Sequence, residues 1–135
     1  MLSQRLASLQ PVGIFVMRVA LGGIVLAYTV KRLSGGMAAF TSVVTSLGLP
    51  RWLAPAASWI ELLAAAMLII GLQTRLAAAV IFLFMAIGVR IHLGESLSSY
   101  DAYLSHAVMA LALVFFGAGP WSIDNKSRPA SGRRR

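Results

Sequence analysis

The sequence predicts an all-α integral membrane protein, a four-helix bundle with a short interfacial helix between its first two spans. Three observations predict it. Of 135 residues, 59% are hydrophobic and only 12% are charged, and mean hydropathy is +0.81, whereas a soluble domain carries about a quarter charged residues. The apolar residues gather into four runs of near-spanning length, about 20 residues being needed to cross a bilayer. No strand-type alternation of useful length interrupts them, which sets a β-barrel aside. The length permits one domain, residues 1–124, followed by a basic tail, 125–135, rich in Ser, Pro, Gly and Arg and expected to be disordered.

The first span is expected over residues 11–30, interrupted only by Arg18. The weakly basic start is followed by a long apolar stretch without a small-residue cleavage site, so it reads as an uncleaved span rather than a signal peptide. Between spans one and two, Met37, Phe40, Val44 and Leu47 recur at helical spacing on a Ser/Thr-rich background. This predicts the interfacial helix, started after Ser34-Gly35-Gly36 and stopped by Gly48-Leu49-Pro50. The second span, 52–72, contains Glu61, and a tight hairpin at Gln73-Thr74-Arg75 leads to the third, 76–93, with Arg90 and His92 near its end. Serines and Glu95 supply turn chemistry before the fourth, 102–121, which contains His106. Trp52, Trp59 and Trp121 read as interfacial anchors.

Charge distribution sets orientation and excludes several functions. With four spans both termini share a side; that side holds seven Lys and Arg and the other four, so both termini are predicted cytoplasmic. The net charge is +8, but the bases lie between apolar runs or in the tail without aromatic interleaving, and nucleic acid is not an expected partner. The chain has no Cys, which excludes disulfides, dithiol redox chemistry, iron–sulfur clusters and Cys-based zinc sites. Carboxylates and histidines are too few and scattered to predict a metal site. No hydrolase triad and no phosphate-cradling Gly loop is present, and no catalytic residue is assigned.

Ionisable side chains inside hydrocarbon cost roughly 2.5–3.5 kcal/mol each at a helix centre, so Arg18 and Glu61 need an explanation. Counted from the outer helix ends, Arg18 lies about 18 Å deep and Glu61 about 14 Å deep on sequential antiparallel spans. A buried Arg18–Glu61 ion pair is expected, serving either to fix helix register or to handle protons or a ligand. Small residues share the Glu61 face, as close membrane packing requires. They, with Gly22, Gly23 and the Ala runs at 64–66 and 77–79, also allow a homo-oligomer.

A second constellation is expected near the outer end: Tyr28, Lys31, Arg90, His92, Tyr103 and His106. Arg90 and His92 lie about 200° apart on a helix and do not point into one pocket. Two readings stand. These residues are interfacial groups snorkelling to water with no cofactor, or they form a pocket whose donors hold a quinone head while apolar helices hold its tail. A bis-histidine haem on His92 and His106 is a remote third.

Several separated motifs resemble the DoxX-like family. They are Arg18-Val19-Ala20-Leu21-Gly22 with Tyr28-Thr29-Val30-Lys31; Phe40 with Gly48-Leu49-Pro50; Glu61-Leu62-Leu63 with Gly71-Leu72-Gln73-Thr74-Arg75; His92; and the ending from Gly117 to Asp124. The resemblance spans about residues 12–124. It implies a four-helix protein of the bacterial plasma membrane, in a family named from a quinol-oxidase-associated subunit and related to subunits of thiosulfate:quinone oxidoreductase. It also implies that Arg18, Lys31, Glu61, Arg75 and His92 are recurring motif positions. The expected function is an accessory or anchor subunit of a quinone-linked membrane redox assembly, with redox partner proteins. The alternatives are a quinone-reactive subunit and a small-molecule or lipid transporter.

Overall fold

In the computed structural model, which describes residues 2–126 and side chains from residue 8 onward, the chain is helical throughout its membrane region. The helices are α1 (Leu2–Lys31), α2 (Met37–Ser46), α3 (Leu53–Ile70), α4 (Thr74–His92), α5 (Leu97–Phe116) and a last turn, α6 (Ile123–Lys126). Four helical stretches are long and apolar enough to cross a membrane: Ser8–Ser46, Leu53–Ile70, Thr74–His92 and Leu97–Phe116. The fold class is therefore as predicted, an all-helical protein with four spans.

The first stretch differs from the expectation. Ser34-Gly35-Gly36 does not end a helix; residues Arg32–Gly36 form a π turn that carries α1 directly into α2. The segment over Met37–Ser46 is helical, as expected, and follows the first helix through the π turn with no loop between them. Both flanking residues of the π turn keep right-handed helical or near-helical backbone, and an added Cβ at Gly35 would meet nothing within 4 Å. Glycine here opens a turn without breaking it. The helical stretch ends at Gly48, whose φ of +76° favours glycine, and Pro50 starts the turn into α3.

The other boundaries have local causes. Gly71, with φ +74°, ends α3 in a left-handed conformation, and its N–H donates to Met67 O. The last long helix starts at Leu97, five residues before the expected 102, because Ser96 is extended and the polar stretch Ser98–Asp101 still winds as helix. It stops at Phe116 because Gly117 and Gly119 both take positive φ and Pro120 follows. Asn125 and Lys126, expected in the tail, belong to α6; the rest of the tail lies outside the described residues.

The core is a thin column of small and aliphatic side chains. Leu21, Val25, Ala64, Ala65, Leu68, Ala77, Ala78, Ile81, Ala110 and Leu113 are buried between α1, α3, α4 and α5. Small residues let the backbones approach: a Cβ on Gly22 would fall 2.7 Å from Ile69 Cγ1 and 3.0 Å from Ala65 O. Several of the alanines that would allow a homo-oligomer are thus consumed inside one chain. Leu63, Leu83 and Phe115 point outward, more than half exposed, as lipid-facing groups do.

Candidate functional site

The register of α1 on α3 decides where the buried charges meet. Gly22 lies against Ala65 and Ile69, and a Cβ on Gly71 would fall 2.7 Å from Arg18 Nη1. In this antiparallel register Arg18 stands level with Gly71, and Glu61 stands near Thr29 and Arg32. The expected Arg18–Glu61 pair therefore does not form. Val30 and Trp52 are not equivalent helix ends, because the first helix runs past Val30 through the π turn. That displaces the partners by about ten residues, some 15 Å of helix.

Glu61, 3% exposed, pairs instead with Arg32, whose Nη1 donates to Glu61 Oε2 at 2.5 Å. Arg32 was expected outside the membrane. The π turn places it at the wall of the bundle, where its guanidinium carbon also lies 4.3 Å from the centre of the Phe40 ring of α2. A flat cation between a carboxylate and an aromatic face is held in one orientation by both.

Arg18, 1% exposed, is held by carbonyls at its two terminal nitrogens, while its buried Nε has no partner. Its Nη1 donates to Ala118 O at 2.5 Å and its Nη2 to Trp121 O at 2.6 Å, fastening the loop after α5 to the first span. Asp124 completes this lock from α6. Its Oδ1 accepts from the Gln73 N–H at 2.6 Å and its Oδ2 from the Thr74 N–H at 2.8 Å, capping α4. Burial opposes the ionised form, but the Thr74 and Gln73 N–H groups and the Arg18 charge outweigh it and hold the Asp124 carboxyl below the ordinary carboxylate range.

A cavity of about 820 Å³ opens at the Lys31 end, between the π turn and α2 on one side and α5 on the other. Its polar groups are Tyr28, Lys31, Arg32, Ser34, Glu61, Tyr103 and His106; its apolar walls include Ile24, Val25, Ala39, Val43, Met85 and Ala102. Four of the six residues expected to form a ligand pocket thus line one cavity: Tyr28, Lys31, Tyr103 and His106. His106 lies nine residues into α5, about 13 Å along the helix, deeper than the sequence count suggested.

Arg90 and His92 do not line it. Arg90 is exposed on α4. His92 stacks on Tyr103, centroids 5.3 Å apart and planes at 15°, with its Nδ1 3.2 Å from Glu95 Oε2. His92 therefore stands behind the cavity wall, and it is not brought to one pocket with His106. Tyr103 is seated tightly: a Cβ on Gly88 would fall 2.5 Å from its ring.

Sequence reasoning missed Arg32, Phe40 and the two glycines of the π turn as parts of this site. The eight-residue spacing of Phe40 from Arg32 was the available signal, since the two fall on one face about two turns apart once the helix is read as continuous. Among the described residues no group of three or more His, Asp or Glu is placed to hold a metal ion.

Fold and site together define a multi-pass helical membrane protein with an amphipathic cavity that contains a charged pair. A family model described as DoxX matches residues 13–93, and the chain belongs to the DoxX family. The matched residues take in α1 from residue 13, all of α2, α3 and α4, and the Arg32–Glu61 pair, while Tyr103 and His106 of α5 lie beyond them. No curated protein and no solved structure gave a match.

Proposed function

We propose that the chain is a subunit of a quinone-linked redox assembly in the bacterial plasma membrane, and that its part is to hold the head of an isoprenoid quinone in the cavity between the π turn, α2 and α5. The observation that carries this reading is a cavity of about 820 Å³ in a membrane bundle, apolar over most of its wall and cationic at one end. Ligand sites are commonly of about 300–1,000 Å³, mostly apolar, with a few polar groups fixing orientation.

The donors fit the chemistry. A quinone offers carbonyl oxygens, which accept hydrogen bonds from Lys31, His106 and the two tyrosine hydroxyls, and a flat ring that packs on Met85 and Phe40. Its isoprenoid tail leaves the cavity toward lipid. With no Cys in the chain, dithiol and iron–sulfur electron carriers belong to partner proteins, so the subunit binds and orients the quinone while another chain supplies electrons. Lys and Arg are more numerous on the side of the termini than on the other, which supports cytoplasmic termini and a cavity in the outer half of the membrane.

Extraction of small molecules from protein held in nanodiscs of native lipid tests the reading. Near-stoichiometric quinone is expected, falling to the level of the surrounding lipid in His106→Ala. Protein that carries no more quinone than protein-free nanodiscs of the same lipid contradicts it.

A further inference from the structure

The Arg32–Glu61 pair engages only one of the two carboxylate oxygens. Oε2 of Glu61 accepts from Arg32, while Oε1 accepts no hydrogen bond among the described residues. Nor is Oε1 sealed in the core: the fully buried polar side-chain atoms without partners are Arg18 Nε and Thr74 Oγ1. The neighbouring hydroxyls are committed elsewhere, Thr29 donating to Val25 O at 2.8 Å and Ser58 to Ala54 O at 3.0 Å. Glu61 lines the cavity, and so does Lys31, which makes no salt bridge among the described residues. One wall thus presents an ionised acceptor and a cationic donor to the same ligand.

That combination asks for a head that both gives and receives hydrogen bonds. Resting on the proposed quinone reading, we infer that the site distinguishes the two redox forms of the head and holds the hydroquinone more tightly than the quinone, its O–H donating to Glu61 Oε1 while its oxygens accept from the cations beside it. A quinone brings only acceptors. It satisfies Lys31 but sets carbonyl lone pairs against Oε1, the carboxylate oxygen that Arg32 does not engage, and an acceptor shut off from water without a donor is costly. The quinone forgoes this bond altogether, and a hydrogen bond to a charged group is worth about tenfold or more in binding, so the hydroquinone is preferred at least about tenfold.

The test compares three probes on the whole protein in nanodiscs: a short-chain 1,4-benzoquinone, its hydroquinone kept reduced without oxygen, and the dimethyl ether of that hydroquinone. The expected result is hydroquinone binding at least about tenfold tighter than quinone, with the ether no tighter than the quinone because it lacks the O–H. Glu61→Gln, which leaves a neutral acceptor, is expected to shrink the preference. Gly35→Leu, whose added Cβ meets nothing within 4 Å and whose side chain narrows the cavity that Gly35 lines, is expected to weaken both forms beyond detection. Should Glu61→Gln fail to fold, the ether comparison on the unaltered chain decides alone. Equal binding of the two forms, or tighter quinone, with both lost in Gly35→Leu, overturns this inference and leaves the quinone reading standing. Binding of neither form overturns the quinone reading itself.

Discussion

Arg18 and Asp124 show how one charge can be held inside a membrane bundle without a direct ion-pair partner. The guanidinium is held by carbonyls at 118 and 121, and the carboxylate that compensates it is spent on the first turn of α4. Because the Asp124 carboxyl is held below its ordinary range, its contribution is full above the unfolded value of about pH 4 and is lost as pH falls through the lower folded value. Asp124→Asn is therefore expected to lower thermal stability at neutral pH by about 1 kcal/mol, the usual size of a lost cap. It should also flatten the acid limb of a melting series run from about pH 7 down to pH 2. An acid limb equally steep in both proteins contradicts this assignment. The cost of charge in hydrocarbon made Arg18 and Glu61 legible in the sequence as residues needing partners. Their partners were not legible, since a backbone carbonyl leaves no mark in sequence and Arg32 seemed to lie outside the span.

The junctions between elements carry as much of the structure as the spans do. Gly71 ends α3 with φ +74°, and a Cβ there would fall 2.6 Å from Ser122 Cβ as well as 2.7 Å from Arg18 Nη1. Gly71→Ala strains the backbone and pushes apart the Arg18 lock at once, so a loss of about 2–3 kcal/mol is expected in unfolding by denaturing detergent. Gly23→Ala, with nothing within 4 Å of the new methyl, is the matched control and should change little; equal losses in the two variants contradict the packing described. Hydropathy alone located the second and third spans to within two residues and the first in its centre. The π turn escaped because Ser34-Gly35-Gly36 carries the signature of a break, and only the packing of α2 along α3, with Val44 buried, keeps the chain helical through it. The five-residue shift of the last span has a similar origin: polar residues at the start of α5 look like loop until helix length is set by its neighbour α4, its main packing partner.

Across the whole molecule the two ends of the bundle differ: the larger cavity, about 820 Å³, lies at the Lys31 end, and a smaller one, about 390 Å³, lies beside the Asp124 cap. The Gly71 end is drawn together by Arg18, Asp124 and the turn at Gly117–Trp121, while at the Lys31 end α2 and α5 stand apart around the cavity. The sequence brought Tyr28, Lys31, Tyr103 and His106 to one end of the molecule because each falls near the same end of its span. It did not join them to Glu61, because the register that does so depends on the continuous first helix. Photolabelling shows whether the quinone head lies in this cavity. A quinone analogue with a photoreactive ring, irradiated with the protein in nanodiscs and followed by mass spectrometry of the peptides, should label residues 24–43 and 102–106, with labelling suppressed by excess unmodified quinone. Label spread over the lipid-facing residues of all four spans, or concentrated at the Gly71 end, would contradict it.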